Sequence, residues 1–220
     1  MTIDRETIGV SKESCGRRRR AILGLMFGAV VWTGTWAGAE PLAPEMLITN
    51  LSAIVVDAIR ADPEIRAGDI GKVLALVDAE IMPHVDARRM TSSALGRYWR
   101  RASPAQRMRL QEEFTSLVLR TYAGALAQVT DQTIRVKPLH LGPLVRQAVV
   151  LTEVHGRGSP VQLDYRLTKT AEGWKIFDVN VLGVWLILNY RNSFAAEIGR
   201  SGIDGLIERL AHKNRSNEAR

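Results

Sequence analysis

Residues 174–194 read "WKIFDVNVLGVWLILNYRNSF". The stretch opens with the alternation of a strand and closes with the spacing of a helix, and Gly183 stands at the change. Between Val181 and Tyr190 it carries eight large apolar or aromatic residues and almost nothing that could do chemistry. The fold is decided by what this apolar run packs against.

Upstream, three further segments have strand character: "TIRVKPL" (133–139), "RQAVVLTEV" (146–154) and "VQLDYRLTK" (161–169). With "WKIFDVNV" (174–181) they predict four strands. The loops "HLGPL", "HGRGSP" and "AEG" are short, so the strands form an antiparallel meander. Val161, Leu163, Tyr165 and Leu167 share one face, as do Phe177, Val179 and Val181. Gln162, Asp164, Arg166, Lys175, Asp178 and Asn180 take the polar positions. One face must be covered, and helices are what the chain offers.

Those helices are legible by period. Residues 44–61 put Leu47, Leu51, Ile54, Val55 and Ala58 on one face, and residues 69–82 do so with Ile70, Val73, Leu74, Val77 and Ile81. Pro83 ends the second. A short helix over 91–101 follows. The next opens with Ser103-Pro104-Ala105-Gln106, a capping box with proline at the first helical position. Its apolar face is Leu110, Phe114, Leu117, Val118, Tyr122, Ala125 and Leu126. After Gly183 the chain is helical to Gly199, and a last helix begins at Asp204. The fold class is α+β: a curved four-stranded antiparallel sheet wrapped by helices, a shape that can enclose an apolar cavity.

The N-terminus belongs to targeting. Four arginines at 17–20 precede sixteen uncharged residues, then "AGA" at 37–39. This reads as a signal peptide cleaved after Ala39, leaving a single exported domain over 40–220. "RRAIL" at 19–23 leaves the route open between general secretion and the twin-arginine pathway. Of 30 Lys and Arg and 23 Asp and Glu, six and three fall before Glu40, leaving 24 against 20, a net of +4. That balance does not support nucleic-acid binding. The basic residues around Trp99 (Arg97, Arg100, Arg101 and nearby Arg107) read as a solvated helix face or as contacts for an acidic partner or headgroup. The one cysteine, Cys15, precedes the cleavage site, so no thiol chemistry is expected beyond it.

Catalytic and metal-binding patterns are missing. His84, His140, His155 and His212 are scattered, and no nucleophile elbow or phosphate-binding loop occurs. No metal, cofactor or catalytic residue is therefore expected. Asp164 and Asp178 could face each other across the third and fourth strands as an acid–base pair. We read them instead as solvent-side carboxylates near Arg166 and Lys175.

With these pieces assembled, the chain resembles the MlaC family of periplasmic phospholipid-binding proteins, also known as toluene-tolerance auxiliary proteins. The resemblance is carried by "MPHVDARRMTSSALGRYWRRASPAQRMRLQEEF" (82–114), "RTYAGAL" (120–126), "DYRL" (164–167), "GWKIFDVNVLGVWLILNYRNSF" (173–194) and "GIDGLIERL" (202–210). It implies an NTF2-like sheet wrapped by helices, with acyl chains held between them. It implies a carrier moving phospholipid, or a hopanoid-type lipid, between an outer-membrane lipoprotein complex and an inner-membrane ABC transporter with an MCE-domain protein. The acyl-chain cavity would lie among Trp99, Phe114, Val118, Tyr122, Val149, Leu151, Leu163, Tyr165, Phe177, Val179, Val181, Leu186, Tyr190 and Phe194. Trp185 stands where members usually have a small residue, which implies a narrower cavity at the strand-to-helix turn. The competing readings are an interaction module without cargo and a small enzyme using Asp178 or Asp164.

Overall fold

Local signals set the helix boundaries. The computed structural model describes residues 42–127, 132–142, 144–156 and 158–218. Its helices are α1 (Pro44–Ala61), α2 (Pro63–Arg66), α3 (Ile70–Leu76), α4 (Ala87–Leu95), α5 (Pro104–Ala127) and α6 (Leu186–Glu218). The expected signal peptide and its cleavage site lie outside the described residues. Asp62, Asp69 and Asp86 accept from backbone N–H groups of α2, α3 and α4 at 2.8, 3.0 and 2.8 Å. Such side chains replace the partner that a first helical turn lacks. At α5 the capping box forms as expected: Gln106 N–H donates to Ser103 Oγ at 3.2 Å and Ser103 N–H to Gln106 Oε1 at 2.9 Å.

Two helices depart from expectation. The segment 69–82 is α-helical only to Leu76, then runs through a π turn (Val77–Ile81) and a 3₁₀ turn (Met82–His84). Pro83 has no N–H to give, so α-type bonding cannot continue through it. The segment 91–101 is the end of α4 followed by a 3₁₀ turn (Gly96–Arg101), with Gly96 at φ +55°. Ile54 and Ile70 are exposed rather than inward. No described helix is long and apolar enough to cross a membrane.

The strands are β1 (Thr133–Val136), β2 (Gln147–Val150), β3 (Thr152–His155), β4 (Val161–Thr170), β5 (Gly173–Val181) and β6 (Val184–Trp185). They pair antiparallel in the order β1-β3-β4-β5-β6, with β2 also on β4. The expected four strands are thus six. The segment 146–154 divides at Leu151, where the buried Asp164 carboxylate takes the Thr152 N–H at 3.1 Å. The register survives the break, since Val150 faces Tyr165 and Glu153 faces Gln162. β6 follows a two-residue turn in which Leu182 and Gly183 both have positive φ, +53° and +86°. That is the backbone of a type I′ hairpin, whose twist suits antiparallel strands.

β5 contains a bulge. Ile176 faces Leu167 and Asp178 faces Arg166, so Phe177 has no opposite residue. The expected face of Phe177, Val179 and Val181 is therefore corrected: a bulge resets the alternation, and Ile176 joins Val179 and Val181 instead. Phe177 joins a different cluster, with Met90 and Ala94 of α4, Leu110, Phe114 and Leu117 of α5, and Ile187, Phe194 and Leu206 of α6. On the Ile176 side, α1 sets Leu47, Ile48 and Leu51 on Ala148, Val150, Leu167 and Trp174. A third cluster joins α1, α2, α3 and α5 through Val55, Ile59, Ile65, Val73 and Ala123.

α6 breaks at Gly202, φ +73°. The two halves are tied across the break by Glu197, whose carboxylate accepts from Arg200 at 2.7 Å and Ser201 at 2.8 Å and pairs with Arg209 at 3.0 Å. Arg200, Ser201 and Arg209 hold the Glu197 carboxyl below the usual carboxylate range. A lowered folded-state pKa contributes stability above the unfolded value of about 4.3 and loses it as pH falls through the folded value. Glu197→Gln should therefore flatten the fall of the thermal midpoint on acidification below that pH, read by a pH series of melts. In the α4–α5–α6 cluster, Phe114 is fully buried between Tyr190 and Phe194, with ring centroids at 5.0 and 5.1 Å. Phe114→Ala should lower unfolding free energy by about 3–5 kcal/mol in a urea titration. A loss below about 1 kcal/mol would show that this aromatic contact does not hold the layer.

Candidate functional site

Between the sheet and the helices lies a pocket of about 610 Å³. Its floor is one face of β4 and β5: Val161, Leu163 and Tyr165 with Ile176, Val179 and Val181. Its roof is one stripe of α5, at Thr115, Val118, Leu119, Tyr122, Ala125 and Leu126. These positions recur at three and four residues, so they share a helix face. Val77, Ile81, Met82 and Val85 close it from the irregular segment after α3, and Leu186 from the start of α6. No described residue lining it is charged. Tyr122 and Tyr165 bring phenols to the wall, and burial pushes both hydroxyls up, so they stay neutral. Thr115 Oγ1 is buried without a hydrogen-bond partner.

The structure divides the fourteen residues expected at the cavity. Val118, Tyr122, Leu163, Tyr165, Val179, Val181 and Leu186 line the pocket. Trp99, Phe114, Phe177, Tyr190 and Phe194 pack instead in the α4–α5–α6 cluster. Val149 and Leu151 are corrected outright. Each is 42% exposed, on the face away from the pocket, while Ala148 and Val150 are buried. One residue of parity changes the face, and the unbroken apolar run "AVVL" at 148–151 hides the parity. Val77, Ile81, Ala125 and Leu126 belong to helical stripes the spacing did reveal. Thr115 and Leu119 were not distinguished, because α5 carries two stripes: Leu110, Phe114 and Leu117 face the core beside the pocket-facing set.

The polar face holds the other surprise. Asp164 and Asp178 are not solvent-side carboxylates: both are buried. Asp164 is opposite Asn180, and Asp178 is opposite Arg166. Asp178 accepts from Val179 N–H at 3.0 Å, Ile187 N–H at 3.1 Å and Arg166 Nη1 at 3.0 Å. Burial pushes the Asp178 carboxyl up, against the pull of Ile187, Arg166 and Val179. Asp164 accepts from Thr152 N–H and from the amides of Gln162 and Asn180. Lys175 reaches the Pro83 carbonyl at 2.7 Å rather than either acid. Trp185 does not line the pocket. The Arg166 guanidinium lies over its ring at 3.8 Å, so the expected narrowing does not occur there. Around Trp99, Arg107 donates to the carbonyls of Trp99 and Arg100, and Arg97 and Arg101 lie against Tyr98. Among the described residues, no group of three His, Cys, Asp or Glu is placed to hold a metal ion.

Fold and pocket together define a class: an α+β protein whose antiparallel sheet is roofed by helices, with an apolar pocket between the layers. The family model described as MlaC protein matches residues 49–212, and the chain belongs to the MlaC family. It is similar to the toluene tolerance protein ttg2D of Pseudomonas putida, 30% identical over 123 residues. That match spans 56% of this chain and 57% of that protein, a little over half of each. It is also similar to the intermembrane phospholipid transport system binding protein MlaC of Haemophilus influenzae, 23% identical over 191 residues, 84% of this chain and 89% of that one. Among solved structures, it resembles the phospholipid-binding protein of Ralstonia solanacearum in complex with a phospholipid. There the TM-score is 0.77 at 39% identity, covering 80% of this chain and 99% of that one.

The Asp178 network has a direct test. Asp178→Ala would leave the Ile187 N–H and the Arg166 guanidinium without their acceptor. Arg166 is partly exposed and recovers some hydration, so the expected loss is about 2–4 kcal/mol in chemical denaturation. A loss within about 0.5 kcal/mol would mean that water replaces the carboxylate.

Proposed function

We propose that the protein is a periplasmic lipid carrier that holds the acyl chains of a phospholipid in the pocket between sheet and α5. The observation that carries this reading is the uncharged 610 Å³ pocket, in a fold matched by a phospholipid-bound relative at 39% identity. The physics explains why such a shape is useful. Exposing one methylene to water costs about 0.8 kcal/mol. Two chains of about 15 methylenes would thus oppose free transfer by on the order of 24 kcal/mol. A protein that keeps them covered removes that barrier without any bond being made or broken.

In this reading the cargo is a diacyl phospholipid, or a hopanoid-type lipid of similar girth, and the protein needs no cofactor. Its partners are an outer-membrane lipoprotein complex and an inner-membrane ABC transporter with an MCE-domain protein. The segment before Glu40 serves as the signal that exports it. An enzymatic role for Asp164 or Asp178 has little support, because both carboxylates lie off the pocket with their oxygens committed to donors.

Native mass spectrometry of protein purified without detergent, followed by lipid extraction, tests the class. A stoichiometric phospholipid is the expected result; an apo mass with no uptake from vesicles would overturn it. Leu163 and Val181 face each other across β4 and β5 on the pocket floor. A charge there would have no partner in an apolar site. Val181→Glu or Leu163→Glu should cut lipid occupancy by roughly tenfold or more while the protein still melts cooperatively. Undiminished lipid in a folded variant would place the chains elsewhere.

A further inference from the structure

The turn between β5 and β6 breaks two rules at one residue. Among the described residues, the positive-φ positions are glycines with one exception, Leu182 at φ +53°. A type I′ turn favours Asn, Asp or Gly there, because the left-handed backbone strains a bulky side chain. Leucine gains no burial in return, since Leu182 is 69% exposed. Neither local conformation nor packing accounts for it. Val184, across Gly183, is 51% exposed, and Leu188 in the first turn of α6 is 59% exposed. No charged residue occurs from Val181 to Tyr190. Trp185, the residue after Val184, is half-buried with the Arg166 guanidinium 3.8 Å from its ring. The tip also has a defined place on the molecule. Leu182 N–H donates to the Gln162 carbonyl at 3.1 Å, which sets the tip beside the start of β4. There the pocket meets solvent, since Gly158, Ser159 and Val161 both line it and are exposed.

We propose that this hairpin tip is a bilayer-contact site, at which Leu182, Val184 and Leu188 enter the boundary between the headgroups and acyl chains of a phospholipid membrane. The proposal rests on the carrier reading above and adds to it a surface that touches the membrane itself. The composition selects the partner. Hydrocarbon takes apolar side chains one at a time and asks for no matching charge, and the tip has no charge to desolvate. A stable protein interface buries ~800 Å² on each partner, more than three side chains supply. Tryptophan and arginine suit the level where hydrocarbon gives way to headgroups, and Trp185 with Arg166 over it follows directly behind the tip. The insertion is shallow, because the backbone of the turn keeps its free N–H and C=O groups near water. Contact with hydrocarbon supplies the burial that Leu182 lacks in the protein alone, and so offsets the conformational cost of leucine at positive φ.

The test is a flotation assay. Protein as purified is mixed with dioleoyl phosphocholine vesicles in about 0.5 M salt, which screens surface charge. The parent should float measurably with the vesicles, and the double variant Leu182→Asn, Leu188→Gln should partition about tenfold less. Neither residue lines the pocket, so native mass spectrometry should find co-purifying lipid at the parent's level in the variant. Leu182→Asn alone should weaken vesicle binding while its melting midpoint holds level or rises by about 2 °C, because asparagine tolerates positive φ. A lower midpoint with unchanged vesicle binding would assign Leu182 to the fold and overturn the proposal. No binding by the parent, binding only to vesicles that contain anionic lipid, or equal binding by the double variant would overturn it too. Lipid still bound to the parent would then leave the carrier standing; a parent without lipid would overturn both.

Discussion

The Asp178 carboxylate ties together three parts of the chain at one point. It faces Arg166 across the ladder, takes the N–H of Val179 in its own strand, and takes the N–H of Ile187 in the first turn of α6. A helix start has four N–H groups without internal partners. Here an acid from a neighbouring strand supplies one, and its charge suits the positive end of the helix. The bulge at Phe177 makes this geometry available. In an unbroken alternation from Ile176, Asp178 would lie on the pocket face. With the bulge, the acid turns away while Val179 and Val181 stay on the floor and Leu186 closes the end. Asp164 and Asp178 are thus kept off the pocket lining, with their oxygens committed to donors.

The same separation runs through α5. One stripe, Leu110, Phe114 and Leu117, is packed to full burial against α4 and α6. The adjacent stripe, from Thr115 to Leu126, faces the pocket. A packed side chain gains many dispersion contacts, whereas one facing a void forgoes those on its open side. The pocket is thus a local concession in stability, set beside three packed clusters. Any apolar ligand that fills it restores those contacts.

Much of the frame is local and was therefore readable. The Ser103–Gln106 capping box, closed by two hydrogen bonds across three residues, is of this kind. The alternation of Leu163, Tyr165 and Leu167 was equally plain. What could not be read depends on long-range pairing. The parity of Val149 and Leu151 is set by which residue β4 places opposite. The burial of Asp164 is set by Thr152, Gln162 and Asn180 arriving from three strands. The bulge did leave a trace: Lys175 and Asp178 share a face although their spacing is odd, which a regular strand forbids. The aromatic residues misled for a related reason. Aromatics bring large apolar area to any interior, so Phe114, Tyr190 and Phe194 signalled burial without distinguishing a core from a pocket wall.

That distinction explains how an apolar run such as 181–190 serves two ends. Val181 and Leu186 face the pocket, and Ile187 and Tyr190 face the helical core. Leu182, Val184 and Leu188 remain exposed. Consecutive residues go to different environments because the hairpin turn and the helix start change the direction of the backbone within six residues. Asp178 fixes that change by holding Ile187 N–H, and Trp185 is drawn beneath Arg166 rather than into the pocket. The width of the pocket at this end is therefore governed less by the size of residue 185 than by the Arg166–Asp178 pair that fixes where the chain turns.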